Sequence, residues 1–404
     1  VLNLEHKYRG FQLNHCRPVI DWLMQQIRNE GVVTPAMAQR ATVMLAETAE
    51  LRPLVLDLAV GTLQAQRLGK GLEGWLFTSR MAEQATHPDI ARYHAEVFTG
   101  STHVLEICTG AGIDTQALAA VVGQVTTYEA DPATAAVARM NFDASGLTNI
   151  TVVEEAWTSE SQPPQDVDGI WADPSRRPDA NRRSRIAADY LPSLDSILRL
   201  HHLPTGVKVG PGDSIPPWAE ERCTSEYIGF GRECRERILW SGIERPKRCA
   251  TLLPGHHHLS VSDPAVSDLA VADPAVAERY LIEPHNAAIA AGLVPAVFAL
   301  AGVRPIDPLI AYGIGGEQPP PSPWYEIFEV VRVDTGISER RIRERVGELG
   351  FNSRTEIKKR GWDGDPEVLR TKIDFPKTEH PGVILLTRRG DAHLTIYARR
   401  RGSR

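Results

Sequence analysis

Val104-Leu105-Glu106-Ile107-Cys108-Thr109-Gly110-Ala111-Gly112 is the stretch that decides the fold. Val104, Leu105 and Ile107 form a short apolar run suited to a buried strand, and the Thr109–Gly112 turn opens a helix near Asp114. Gly110 and Gly112 lack a Cβ, so the backbone there can take positive φ and admit a ligand closely. A second apolar segment, 125–128, ends in Glu129, at the separation where a carboxylate accepts hydrogen bonds from both hydroxyls of a ribose. The pair reads as a nucleotide-binding turn followed by a sugar-binding acid.

Outward from this pair, strand and helix alternate. Strands are predicted at 104–107, 125–128, 150–153, 169–172 and 206–209, with helices near 114–121, 133–143 and 189–200, which predicts a parallel sheet covered on both faces. Segments 225–230, 235–240 and 248–253 leave no room for helices between them and predict antiparallel strands at one edge. Before the sheet, 16–70 carries apolar residues at helical spacing, with Thr34-Pro35 as an N-cap and first-turn proline. After it, His256-His257-His258 reads as an exposed turn, because three adjacent histidines cannot share one face of a strand. A degenerate five-residue acidic repeat starts at Val261, an alanine-rich helix is predicted over 287–300, and Gly313 to Pro323 reads as a linker. An α+β pattern closes the chain. The division expected is a helical lobe over 1–79, a sheet domain over 80–258, a repeat loop, helix and linker over 259–322, and a basic domain over 323–404.

Composition limits the function classes. The chain has 404 residues, enough for two or three domains, with 42% hydrophobic and 24% charged residues. No run approaches the ~20 apolar residues of a spanning helix, and Glu5, Asp21 and Glu30 argue against a secretion signal, so a cytoplasmic protein with no membrane contact is expected. Five scattered cysteines without a CxxC pair argue against disulfides and zinc, and no metal site is expected. The formal charge of −6 is uneven: residues 324–404 hold 18 Lys and Arg against 13 Asp and Glu, leaving 27 against 38 in residues 1–323. Basic clusters including Lys358-Lys359-Arg360 predict contact with a polyanion such as an RNA backbone.

The Thr-Gly-Ala-Gly turn with a distant acid suits NAD, FAD or S-adenosylmethionine. A dinucleotide site favours a third glycine, and Thr115 stands in that place, which lowers the pyrophosphate reading and raises S-adenosylmethionine. The fourth strand runs into Asp173-Pro174-Ser175-Arg176-Arg177, where ligands bind in open α/β sheets. Proline stiffens the turn, Asp173 accepts a hydrogen bond from an amine or hydroxyl, and Arg176, Arg177, Arg182 and Arg183 offer donors to phosphates or a base edge. Glu155-Ala156 ends the third strand, where an adenine is held.

VLEICTGAG, YEADP and DGIWADPSRRP, in this order, resemble the class I S-adenosylmethionine-dependent methyltransferases. More narrowly, EQATHPDIARYHA from Glu83, DPSRR from Asp173, VKVGPG from Val207, GRECRE from Gly231, YLIEPHNAAIAAGL from Tyr280 and EIKKRG from Glu356 are similar to bacterial methyltransferases with a C-terminal THUMP-like domain. The resemblance implies a Rossmann-like sheet with an antiparallel edge, a helical N-terminal lobe and an α+β THUMP-like domain that binds RNA. By position it implies that Glu106, Thr109, Gly110 and Gly112 surround the methionine part of S-adenosylmethionine, with Gln84 and Thr86 closing over it. Glu129 would hold the ribose, and Glu155 with Ala156 the adenine. Asp173, Pro174, Arg176 and Arg177 would face the acceptor, with Arg182, Arg183 and Lys208 as substrate contacts beside it and Lys358, Lys359 and Arg360 on the RNA. The expected reaction is methylation of a base nitrogen in tRNA or rRNA. A methyltransferase acting on a protein or small molecule, and a catalytically silent RNA-binding scaffold, stay open. A looser likeness to trimethylguanosine synthase rests on GWLFTSRMAEQAT, but that group carries an aromatic where this chain has Ser175-Arg176.

Overall fold

The structure is a computed structural model and describes residues 11–176, 184–200, 202–260 and 279–401. The acidic repeat from Val261 therefore lies outside the described residues. The chain divides into two compact units: 1–224 with 237–245, and 225–236 with 246–404.

The first unit opens with helices α1 (Phe11–Glu30), α2 (Pro35–Leu45) and α3 (Arg52–Arg67). Thr34 caps α2 through the Met37 amide, as the Thr-Pro pair predicts. Leu23, Ile27, Leu58 and Leu63 face inward and share one core with Trp75, Phe77 and Phe142. Two short helices follow, α4 (Ser79–Gln84) and α5 (Pro88–Glu96), and lead to the sheet.

The sheet is built from β1 (His103–Ile107), β2 (Gln124–Tyr128), β3 (Ile150–Val153), β4 (Gly169–Ala172) and β5 (Thr205–Val209). They pair in parallel in the order β3-β2-β1-β4-β5. Helices α6 (Ile113–Ala119), α7 (Pro132–Ser145), α8 (Leu194–Leu198) and α9 (Pro217–Arg222) make the connections. The strands β6 (Thr224–Phe230) and β7 (Glu233–Ser241) come next, and β7 runs antiparallel to β5 through Arg237–Ser241. The antiparallel edge predicted from the short segments is present there. Strands of near-continuous apolar character, such as Gly169-Ile170-Trp171-Ala172, are buried on both faces.

In the second unit, β8 (Arg248–Leu253) pairs with β6 in parallel, not antiparallel as expected, and with β9 (His257–Ser260) in antiparallel fashion. Two of the three histidines thus begin a strand, and His258 Nδ1 lies 2.9 Å from Thr251 Oγ1. A second sheet contains β10 (Tyr280–Pro284), β11 (Arg304–Asp307), β12 (Ile310–Gly315), β13 (Tyr325–Thr335), β14 (Glu356–Lys359), β15 (Val383–Arg389) and β16 (Ala392–Arg401), ordered β11-β12-β10-β13-β16-β15-β14. The alanine-rich segment is two helices, α10 (Asn286–Ala290) and α11 (Val294–Ala301), parted at Gly292 with φ 73°. Helices α12 (Glu339–Leu349) and α13 (Pro366–Arg370) complete the unit.

The expected linker begins inside β12. Gly313 and Gly315 are strand residues, and a Cβ on Gly313 would stand 2.6 Å from Val303 and 2.9 Å from Phe298. Close packing under α11, rather than chain freedom, accounts for glycine there. Because β10 pairs with β13, residues on either side of 316–323 belong to one sheet.

Candidate functional site

The site lies where the carboxyl ends of β1, β2, β4 and β5 meet the helices before the sheet, the place where open α/β sheets bind ligands. After β1 the backbone turns sharply. Cys108, Gly110 and Gly112 take φ of 74°, 56° and 92°, and Gly112 caps α6. A Cβ on Gly112 would meet the Phe142 ring at 2.4 Å, whereas the space beside Gly110 is open. One glycine is required by packing beneath the turn, and the other leaves room above it.

The carboxylates around this turn differ in environment. Glu106 is 1% exposed and accepts a 2.5 Å hydrogen bond from Thr115. Burial, only partly offset by Thr115 and Thr127, pushes its pKa up to about 8, so near neutral pH it is mostly the uncharged acid. Thr115, which replaces the third glycine of a dinucleotide turn, therefore has a task of its own. Glu129 accepts from the Gly110 amide at 3.0 Å and from the Asp131 amide at 3.0 Å, one bond on each oxygen. The two backbone bonds fix the carboxylate in orientation, and its two oxygens offer the acceptors that a pair of ribose hydroxyls needs. Thr109 is tied to Thr127 of β2 at 2.6 Å, which pins the turn to the neighbouring strand.

On the acceptor side, the Asp173 amide donates to the Ile107 carbonyl at 3.1 Å, so the Asp-Pro turn stands directly beside the end of β1. Lys208, on β5, donates to Asp173 Oδ2 at 2.8 Å and to Thr86 Oγ1 at 2.9 Å. Thr86 donates to Asp114 Oδ2 at 2.5 Å, and Asp114 Oδ1 lies 2.8 Å from His94 Nδ1. The His94 ring, 1% exposed, stacks on Trp171 with centroids 4.3 Å apart. Burial by itself would raise the Asp114 pKa; His94, then Lys208 and Thr86, outweigh it and hold the carboxyl below its ordinary range. A line of polar groups thus runs from α5 through the first turn of α6 to Asp173.

Nine of the nineteen residues chosen from the sequence converge here: Thr86, Glu106, Thr109, Gly110, Gly112, Glu129, Asp173, Pro174 and Lys208. Thr86 does so with its hydroxyl already shared between Asp114 and Lys208, and Lys208 is bonded to Asp173. Arg176 is half-buried, with its carbonyl accepting from the Ser184 amide. Gln84 is exposed at the end of α4, and Glu155 and Ala156 are exposed after β3, close enough for Glu155 to raise the Tyr128 pKa after burial does. Arg177, Arg182 and Arg183 lie outside the described residues. Lys358 and Arg360 belong to the second unit and are ion-paired there: Lys358 with Glu283 and Glu326, Arg360 with Glu283 at 3.0 Å. Lys359 donates to the Gly364 carbonyl and stays exposed. Sequence reading missed His94 and Asp114. Their signal was faint, an acid in the first turn after the glycines and a histidine on the apolar face of a short helix.

No metal-binding group of three or more His, Cys, Asp or Glu occurs among the described residues, and no described helix is long and apolar enough to cross a membrane.

The comparisons with known proteins point to a class of enzyme. No family model matches the chain. Two relatives from Mycobacterium tuberculosis, of strains CDC 1551 and H37Rv, are named as uncharacterized S-adenosylmethionine-dependent methyltransferases; each is 29% identical over 366 residues, 87% of this chain and 95% of the relative. A crystal structure from Porphyromonas gingivalis W83, assigned as a methyltransferase, superposes with a TM-score of 0.68 at 17% identity, covering 88% of this chain and 92% of that one, and shows the shared fold. In class, the protein is an S-adenosylmethionine-dependent methyltransferase. The open space at Gly110 and the doubly anchored Glu129 fit that cofactor.

Proposed function

We propose that the protein transfers a methyl group from S-adenosylmethionine to a base nitrogen of RNA, tRNA or rRNA. Gly110, Gly112 and Thr109 hold the methionine part, Glu129 the ribose, and Glu155 with Ala156 the adenine. The bound cofactor supplies an electrophilic methyl group. The chain supplies position: Asp173 accepts a hydrogen bond from the acceptor amine and orients its lone pair, and most of the rate comes from that alignment. The observation that carries the reading is the Asp173–Lys208 pair beside the glycine turn.

Neither Cys108 nor Cys234 favours a covalent route to a pyrimidine carbon. Desolvation, then Glu129, Asp173 and Glu106, push the Cys108 thiol well up, and burial, then Glu236, pushes Cys234 up to about 12. A nucleophilic cysteine needs a lowered value. RNA as the acceptor rests on Arg176 and the arginines after it in sequence, and on the THUMP-like reading of 323–404, where Arg341, Arg354 and Lys359 bond backbone carbonyls and keep exposed side chains. A cytoplasmic enzyme follows from such a substrate. The test is methyl transfer from tritiated S-adenosylmethionine to RNA from cells that lack the protein, followed by mass spectrometry of the nucleosides. One N-methylated nucleoside is the expected product; label in protein alone, or a C5-methylated pyrimidine, contradicts the reading.

A further inference from the structure

The methyl donor and its demethylated product have the same adenosine and amino-acid parts. They differ by the methyl group and by one charge, a sulfonium cation in the donor and a neutral thioether in the product. Fixed charges close to the sulfur therefore enter the difference between the two affinities, while contacts to the rest of the molecule cancel. Asp173 stands next to the end of β1, hydrogen-bonded to Ile107, and its charge is felt by Cys108 and Glu106 of the glycine-turn segment. Lys208 is bonded to it at 2.8 Å, with 11% of the lysine side chain and 33% of the aspartate side chain exposed. The remaining ionisable groups on the line, Asp114 and His94, are bonded to each other at 2.8 Å.

We propose that the Lys208–Asp173 ion pair sets the preference of the site between the cationic methyl donor and its neutral product. This rests on the cofactor assignment and is independent of the acceptor. Asp173 alone would hold the sulfonium strongly, and Lys208 alone would repel it. Paired, they leave a small net field, so the donor is bound without excluding exchange with the product. Lys208 acts as a positioning and charge-balancing residue that joins the acceptor carboxylate to Thr86 and Asp114 on the donor side.

The test is calorimetric titration of S-adenosylmethionine and S-adenosylhomocysteine into the full chain, read as the ratio of the two affinities. Lys208→Met should move the ratio toward the donor, and Asp173→Asn toward the product, each by about threefold or more for the change of one unit charge in a partly screened site. The double variant, again without net charge, should return to within about twofold of the wild type, as should Lys208→Arg. Loss of packing weakens both ligands alike and leaves the ratio in place; Lys208→Gln serves if the methionine variant does not fold. A ratio that stays within twofold in both single variants, or moves in the same direction in both, overturns the proposal while leaving the cofactor assignment intact. A wild type that binds neither ligand overturns that assignment and the proposal together.

Discussion

The polar line of the first unit and the charged face of the second are built from the same residue types and close differently. In the second unit Lys358 meets Glu283 and Glu326, Arg360 meets Glu283, and Arg400 meets Glu326 and Glu356. Lys358 and Arg400 also lie over the Phe328 ring, and Arg360 over Tyr312. Each of these three cations is returned to an acid of the same sheet, an arrangement that fixes strands to one another. Around the glycine turn, by contrast, Glu106, Asp114, Glu129 and Asp173 gather, with Lys208 bonded to Asp173 and His94 to Asp114. Carboxyl groups gathered at the ends of strands, with their pKa values pushed in opposite directions at Glu106 and Asp114, mark a site where a ligand or a reacting group is received. A basic sequence cluster is thus a poorer guide to function than acids placed at the carboxyl ends of parallel strands.

The largest expected effect is at the turn. Gly112→Val places a branched side chain at φ 92° against Phe142, and loss of cofactor binding with a fall in thermal stability should follow; unchanged calorimetry and melting would remove the turn from the site. Next is Asp173→Ala, which removes the bond from Lys208 to Asp173 and leaves the acceptor without its orienting group. Methyl transfer should drop by about 100-fold, measured as initial rate at saturating cofactor. A rate within a few-fold of the wild type would move the acceptor side away from Asp173.

A pH dependence separates the two regions further. The Glu106 value of about 8 in the fold stands above its ordinary 4.5, so its contribution to stability is fully present below the lower value and is lost as pH rises through the higher one. Melting temperature of the cofactor-free protein should therefore fall between about pH 5 and pH 8, and Glu106→Gln should flatten that part of the profile. Parallel profiles for both proteins would show Glu106 ionised throughout. The smallest effect is expected in the second unit: Lys358→Met should cost about 1 kcal/mol in denaturant unfolding, since its carboxylate partners are partly solvated and keep Arg360 and Arg400. Its cofactor affinity should match the wild type, and a changed affinity would join the charged face to the chemistry.

Much of this contrast was legible in the chain. Val104 to Gly112 announces strand, turn and helix through apolar spacing and two glycines, and Glu129 and Asp173 follow from where strands end. What could not be read was pairing at a distance. Lys358 and Arg360 look like a free basic patch until Glu283, 75 and 77 positions away, is brought beside them. Gly313 looks like a hinge until Val303 and Phe298 close on it. His94 and Asp114, 20 positions apart, meet only because α5 and α6 pack side by side.

The most direct measurement is the affinity of the full chain for S-adenosylmethionine before and after Glu129→Ala. One-to-one binding by the wild type and a loss of about tenfold or more in the variant are predicted, because two hydrogen bonds to a charged acceptor are removed. Equal affinities, or no binding by the wild type, would contradict the assignment of the glycine turn and Glu129 as the donor half of the site.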